Sequence, residues 1–554
     1  MIKLQGFVSR PKSVRMQLAE DIWALGSSVF FNEKVPFSTR NGPAQAKRIV
    51  ALIIEVAKLF PKETDFRFLE LGAGLGLLSH FVLKSLKEQA PALYEKTTLF
   101  VSDIRPELTA FYSQSGFKDE KLVFLTTDAT APEVAGSFHF VFSTYLLDTF
   151  PARHVVWENK AFFEGRVKTC LKTDAIFPSF VAGKPVFLDE TDVYHQLRQP
   201  FDNRKGLSHR IMGCLDEAFE PQSIDAWTQA DQQDLRAFWM WYLDKNDLPS
   251  SLSFNVSHHI PQHLAKVHEL LKPNGAYFCS DFGFATTMLD QPLPYLVSGY
   301  GATQFYAVAF PYVQYHAEKL GFSSQITAFE GDQTQDALYH KSKTPVPELV
   351  AVFKAQFSEN LAKRIGIVLD DIDSKSWTPE TVSGIGEILV TLTDEEQLDY
   401  YLLRGLASLL YQDGLLAASL EICKQMIAVY GPLAFDAYLL LGWVFQQQPD
   451  HRKAVEVLKK ALLVNPHSPI AQTSLAISLV HLKHYDKAET AFKTALTHAR
   501  HDAMYWQTLS GLISAFSVLP KGMRSPYIRG LKAMVKAHRH LVPAEIKLKV
   551  KSLI

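Results

Sequence analysis

The residues best placed to do chemistry sit close together. The run Phe66-Arg67-Phe68-Leu69-Glu70-Leu71-Gly72-Ala73-Gly74-Leu75-Gly76 leads an apolar strand into an acidic residue and then into three alternate glycines. Glycine reaches φ > 0 without steric cost and lets a ligand lie against backbone. A second acidic strand end follows, Leu99-Phe100-Val101-Ser102-Asp103, and a third acidic position in Thr127-Asp128-Ala129. A carboxylate at Asp103 can accept two ribose hydroxyls, and one at Asp128 can accept an adenine amine. Glycine triplets of this kind serve NAD, FAD and S-adenosylmethionine sites alike. Glu70 separates them. A dinucleotide puts its pyrophosphate at a helix N-terminus, where a neighbouring negative charge is unfavourable. S-adenosylmethionine has no phosphate and carries a sulfonium and an ammonium. The pattern therefore predicts S-adenosylmethionine held by Glu70, Gly72, Gly74, Gly76, Asp103 and Asp128, beyond the carboxyl ends of parallel strands.

Elements that could hold such a site alternate along the chain. Strands are expected at Phe66–Leu71, Thr98–Asp103, Leu122–Thr126 and Phe138–Ser143, with a helix at Leu77–Gln89. Helix His259–Leu271, the turn Lys272-Pro273-Asn274-Gly275 and strand Ala276–Ser280 resume the pattern, and helix Phe310–Leu320 with strand Ser324–Phe329 closes it. Such alternation predicts a doubly wound α/β fold, a parallel sheet with helices on both faces. Residues 160–250 read as irregular and as an insertion forming a lid. The aromatic stretch Phe238-Trp239-Met240-Trp241-Tyr242 reads as the core of that insertion rather than as a ligand box. His259 and His263 form an i, i+4 pair, but no nearby Glu or Cys makes a metal site of it.

From about residue 390 the chain reads as all helical, with a 34-residue period. Gly442 pairs with Ala476, Ala454 with Ala488, Ala461 with Ala495, and Pro432 with Pro466. Small residues at those positions let antiparallel helices pack closely, and this resembles the tetratricopeptide repeat. The expected division is 1–345 for the α/β domain, 346–390 for a connector and 391–554 for an all-α repeat solenoid. The stretch 521–554 carries nine Lys or Arg and one acid, Glu545, as a solvated capping helix would.

Over roughly residues 20–340 the chain resembles class I S-adenosylmethionine methyltransferases, and most of all the MidA-type family that includes the mitochondrial complex I assembly arginine methyltransferase. The pieces are Glu70-Leu71-Gly72-x-Gly74-x-Gly76, Ser102-Asp103-x-x-Pro106-x-Leu108, Leu146-Leu147-Asp148-x-x-Pro151, Ser280-Asp281-Phe282-Gly283 and Phe310. The family's Asn-Glu pair falls on Thr144-Tyr145, and the aspartate of its Val-Asp-Phe element falls on Ala309. A guanidinium pairs best with a carboxylate, which a tyrosine is not near neutral pH. The resemblance thus implies methyl transfer, with Thr144, Tyr145, Asp148 and Asp281 on the acceptor side and Asp148 or Asp281 standing in for the missing acid.

Composition narrows the function classes. The 554 residues are 47% hydrophobic and 21% charged with a formal net charge of −1, so nothing draws the whole chain to nucleic acid or anionic membrane. The four cysteines are far apart and form no CxxC, which suits a reducing compartment. Met1-Ile2-Lys3-Leu4-Gln5 lacks a signal-peptide core, and no apolar run reaches the ~18 residues of a membrane span. The expectation is a cytoplasmic methyltransferase whose repeat groove takes a protein or peptide partner. A catalytically silent adaptor and a small-molecule methyltransferase are the alternatives.

Overall fold

The computed structural model describes residues 2–24, 38–107, 119–172, 176–181, 184–198, 208–247, 251–285, 297–300, 303–328, 334–499, 502–517, 526–537 and 539–552. Leu108 and Phe329, both drawn into expected motifs or strands, lie outside them.

The central sheet is built from β1 (Phe66–Leu71), β2 (Thr97–Asp103), β3 (Leu122–Thr126), β4 (Phe138–Thr144), β5 (Leu271–Phe284), β6 (Ser323–Ile326) and β7 (Thr334–His340). Their order across the sheet is β6-β7-β5-β4-β1-β2-β3, and the two-residue strand Val308–Ala309 adds to β5. β1 to β5 run parallel. β7 is antiparallel to both β5 and β6. The sheet is therefore mixed, which corrects the all-parallel expectation. The cause is β7, whose Thr334-Gln335-Asp336 start reads as polar loop. It is buried between β5 and β6, and its Asp336 carboxylate is taken at 2.5 Å by Arg40, 296 residues away.

Alternation along the strands sends side chains to opposite faces. Phe66 and Phe68 of β1, Phe140 and Phe142 of β4, and Phe278 of β5 share one core. Leu69, Leu71, Val141, Tyr277 and Cys279 share the other with helices His259–Leu270 and Phe310–Leu320. Covering the first face are helices α2 (Pro43–Lys58) and α3 (Leu77–Gln89); α1 (Val14–Trp23) precedes them in the chain and lies elsewhere. Helix α2 begins with Pro43 at its first turn, where a missing N–H costs nothing. Its buried Ile49, Val50, Leu52, Ile53 and Val56 keep helical spacing.

The expected irregular insertion is largely a second, antiparallel sheet. Strand Ala161–Leu171 pairs with Arg153–Glu158, Leu215–Ser223 and, unexpectedly, with Ile2–Val8. Strand Ser251–Val256 completes it. Phe238, Trp239 and Tyr242 are buried beneath it, as expected for a core, whereas Met240 is exposed. The strand at 215–223 was hard to read because its Leu-Asp-Glu-Ala-Phe-Glu-Pro alternation leaves most positions exposed.

Helical pairs follow at Tyr400–Gln412 with Leu416–Tyr430, Phe435–Gln447 with His451–Val464, and Pro469–His481 with Tyr485–Thr497. The small residues of the repeat are where helices touch. Ala454, Ala461, Ala476, Ala488 and Ala495 are all buried. A Cβ on Gly442 would come within 2.6 Å of the Leu458 side chain.

No gap separates the two halves. One apolar core runs from α2 and α3 into the repeat helices. The ring of Phe81 meets Tyr430 edge-on at 5.4 Å, and the Tyr430 hydroxyl donates to the Leu398 carbonyl at 2.8 Å. Lys47–Glu395 (2.6 Å) and Arg48–Glu396 (3.9 Å) cross the same seam. Residues 346–390, expected as a connector, hold helices Pro347–Gln356, Leu361–Asp373 and Gly384–Leu389, and Phe353 and Phe357 pack into that same core. Among the described residues no helix is long and apolar enough to cross a membrane.

Candidate functional site

A cavity of about 530 Å³ opens above the carboxyl ends of β1, β2 and β4. That volume suits a cofactor-sized ligand. Its floor is the glycine loop. Gly72, Gly74 and Gly76 have φ of 67°, 54° and 70°, all left-handed. A Cβ at Gly72 would stand 2.7 Å from Leu146 Cδ1, so this position excludes a side chain on two counts. The loop is tied to the neighbouring strand twice. Ala73 N donates to Ser102 O at 2.9 Å, and Gly74 N donates to Asp103 Oδ2 at 2.9 Å. The other carboxylate oxygen of Asp103 accepts from Arg105 N at 3.0 Å. Asp103 thus holds its own loop and the glycine loop in register. Burial pushes its carboxyl above the usual range despite those donors.

Glu70 also lines the cavity, but only 3% of it is exposed. Its carboxyl is held by the Ser79 hydroxyl at the start of α3. Burial pushes it up to about 8, against which the Ser79 bonds pull weakly. The expected anionic partner for a sulfonium or ammonium is therefore a group that is mostly protonated at neutral pH. Asp128 is exposed at the rim, where its carboxylate accepts from Thr130 N and Oγ1, both at 2.8 Å.

The strand end opposite is strained. Tyr145, directly after β4, has φ 51° without being glycine, a conformation that is held only where the surroundings over-determine it. Tyr145 N donates to Ser280 O at 2.9 Å. Leu146 N and Leu147 N donate to Asp281 Oδ2 at 3.0 and 2.7 Å. The turn is thereby clamped from below by a carboxylate. Thr144 and Tyr145 face the cavity, and Thr144 Oγ1 is buried without a partner among the described residues. Burial pushes the Tyr145 phenol up to about 12, so it is a neutral group.

Seven of the ten expected site residues line this cavity: Glu70, Gly72, Gly74, Asp103, Asp128, Thr144 and Tyr145. Three do not. Gly76 caps α3 behind the loop. Asp148 and Asp281 lie under the Tyr145 turn, 2% and 0% exposed. Burial and their mutual repulsion push the Asp148 carboxyl well above the ordinary range, and burial raises Asp281. Asp281 braces the turn, Asp148 Oδ1 is buried without a partner among the described residues, and neither residue lines the cavity.

The cover is the part the sequence did not show. It comes from Pro11, from Met16, Ala19, Glu20 and Trp23 around α1, and from Gln304, Phe305 and Tyr306. Among the described residues, none of the 160–250 insertion, expected as the lid, lines the cavity. The insertion moors the cover instead. Glu217 Oε2 takes Arg10 Nη1 at 3.1 Å and Arg15 Nε at 2.8 Å. Of the histidine pair, His259 lines the cavity. His263 is buried between Ala129 O at 2.6 Å and the Tyr277 hydroxyl at 3.1 Å, with its ring nitrogens committed.

A second cavity, about 560 Å³, lies in the repeats between helix Leu361–Asp373 and the helices that carry Tyr401, Arg404, Trp443 and Ile470.

Comparison with known proteins falls on the same two regions. Residues 49–299 match the model of a family described as "Putative S-adenosyl-L-methionine-dependent methyltransferase", and residues 446–512 match that of the tetratricopeptide repeat. No curated protein matches the chain. Similar solved structures include an uncharacterised protein from Burkholderia thailandensis, 14% identical over 62% of this chain and 90% of its own, with TM-score 0.37. Another Burkholderia thailandensis protein, solved with S-adenosyl-homocysteine, is 15% identical over 56% of this chain and 80% of its own, with TM-score 0.34. A MamA protein is 18% identical over 33% of this chain and all of its own, with TM-score 0.26. Residues 49–299 thus resemble a family whose cofactor is S-adenosylmethionine, and residues 446–512 resemble the tetratricopeptide repeat.

Proposed function

We propose that this protein transfers a methyl group from S-adenosylmethionine to a side chain of a protein substrate recruited by its repeats. The observation that supports this most is the cavity floor: the left-handed Gly72 and Gly74, with Gly74 N held by Asp103, lining one cavity with the strained Thr144-Tyr145 turn. The cofactor supplies an electrophilic methyl group on a sulfonium. Displacement at such a carbon needs alignment and exclusion of water more than it needs a strong base. In this reading Gly72 and Gly74 lie against the cofactor, Asp103 and Asp128 take its ribose and adenine, and the buried Thr144 hydroxyl finds its partner on the bound ligand. Tyr145 forms the wall between donor and acceptor. Asp281 acts as a positioning residue through that wall, with Asp148 buried beside it.

The finer reading, a MidA-type arginine methyltransferase, rests on the ordered motifs ending in Ser280-Asp281-Phe282-Gly283. We place the α/β domain at 1–345 and the repeats at 391–554, with the repeat cavity as the peptide groove. A second reading, an adaptor that binds cofactor without turnover, is favoured by one observation: where the family has a carboxylate, this chain has the neutral Tyr145.

Calorimetric titration of S-adenosylmethionine and S-adenosylhomocysteine into wild-type protein and Asp103→Ala tests the cofactor. The expected result is binding on the order of micromolar that the substitution abolishes. A folded wild type that binds neither ligand would overturn both readings.

A further inference from the structure

The cavity cover carries a second recognition element. Glu20 lies on α1 at the cavity wall, and the aromatic side chains of Trp23, Phe305 and Tyr306 line the same wall. Trp23 and Phe305 meet edge-on with ring centres 5.9 Å apart. Phe305 and Tyr306 are 9% and 4% exposed, so these rings are fixed walls. No hydrogen bond or ion pair engages the Glu20 carboxylate among the described residues. Each other acid that lines the cavity already accepts a hydrogen bond: Glu70 from Ser79, Asp103 from Gly74 and Arg105, and Asp128 from Thr130. Arg105, the cavity's guanidinium, donates to the Trp23 carbonyl. Glu20, itself exposed, thus shares the cavity with these rings while its carboxylate has no partner among the described residues.

An unpaired carboxylate and aromatic rings that line one cavity can together attract a cation, through direct charge and through the ring quadrupoles. We propose that Glu20, with Trp23, Phe305 and Tyr306, recognises the cationic nitrogen group of the methyl acceptor. This deepens the methyl-transfer reading and rests on it. It also resolves the missing acid. Where the strand-end turn offers neutral Thr144 and Tyr145, the carboxylate comes from α1, and the substrate class is an alkyl chain ending in guanidinium or ammonium. Burial and the adjacent Asp21 hold the Glu20 carboxyl above its ordinary range, as expected for an acid that lacks a cationic partner until substrate arrives.

The test uses the full-length chain saturated with S-adenosylhomocysteine. It is titrated calorimetrically with butylguanidinium, butylammonium and neutral butylurea. The expected result is that one of the cations binds about tenfold more tightly than butylurea, the scale of a cation held by aromatic faces and one carboxylate. Which cation does so identifies the acceptor type. In Glu20→Gln that preference is lost while S-adenosylhomocysteine affinity changes by less than about twofold. Equal binding of butylurea, or a preference that survives Glu20→Gln, overturns the proposal. A large loss of S-adenosylhomocysteine affinity in Glu20→Gln also overturns it and reassigns Glu20 to the cofactor. If wild type fails to bind S-adenosylhomocysteine, the methyl-transfer reading falls separately. The same titrations of the unloaded protein then decide the cation site: a Glu20-dependent preference sustains it, and none overturns it.

Discussion

The floor and the cover of one cavity are built in opposite ways. The floor is local: Glu70 to Gly76 and Asp103 lie within 34 residues, and backbone N–H groups do the holding. The cover is assembled from α1 and from Gln304 to Tyr306, nearly 300 residues apart, and is held by side chains. A floor of this kind is specified by conformation, since three glycines must all be left-handed. A cover of this kind is specified by charge, since two arginines must find one buried glutamate. The first should fail when a side chain is added, the second when a charge is removed.

The largest effect is expected at the mooring. Glu217→Ala leaves the guanidinium of Arg10, 5% exposed, buried without its carboxylate. Removing one partner of a buried pair costs about 3–5 kcal/mol. Chemical denaturation should show a loss of that order, and S-adenosylhomocysteine should dissociate faster from a loosened cover. A loss below about 1 kcal/mol would mean that the cover does not depend on that charge.

Next comes the floor. Gly72→Val puts a β-branched residue at φ 67° and drives its Cβ toward Leu146. The backbone cost is about 1–3 kcal/mol. Cofactor affinity, read by calorimetry, should fall by more than about tenfold. Normal affinity would show that the loop is not preset.

Glu70→Gln sharpens the comparison through pH. The Glu70 carboxyl is raised from 4.5 to about 8 in the fold. A raised acid favours folding fully below its unfolded value, and that contribution is lost as pH rises through about 8. Without cofactor, wild type should therefore lose melting temperature relative to Glu70→Gln between pH 6 and pH 9. Parallel curves across that window would place the charge cost elsewhere.

The smallest effect is expected at the seam with the repeats. Lys47 and Glu395 pair at 2.6 Å, but their side chains are 46% and 29% exposed. Glu395→Gln should cost less than about 1 kcal/mol and leave S-adenosylhomocysteine affinity unchanged. A larger loss would show that the seam is held by charge rather than by its apolar core.

Legibility in the sequence followed the same division. The segments Phe66–Leu71, Leu77–Gln89, Leu122–Thr126 and Phe310–Leu320 were readable to the residue because apolar period, glycine turns and a proline in the first helical turn all act locally. The small residues of the repeats were readable because they recur in phase. Strand β7 was not, since the Asp336 carboxylate finds its buried partners, Arg40 and Gln45, nearly 300 residues away. The cover was not, since nothing near Met16 or Glu20 in the chain announces Phe305. Asp148 and Asp281 were readable as a pair but not as supports, because sequence order does not say whether a carboxylate points into a cavity or under it.

The strand Ile2–Val8 has a consequence in time. Its partner is Ala161–Leu171, which a ribosome adding ~5–20 residues per second makes roughly 10–30 s later. By the end of that interval the glycine loop and its two flanking strands are out, whereas the Gln304–Tyr306 part of the cover is still to be made. The floor of the cavity is thus synthesised before the strand that anchors its cover and before the aromatic residues that complete it.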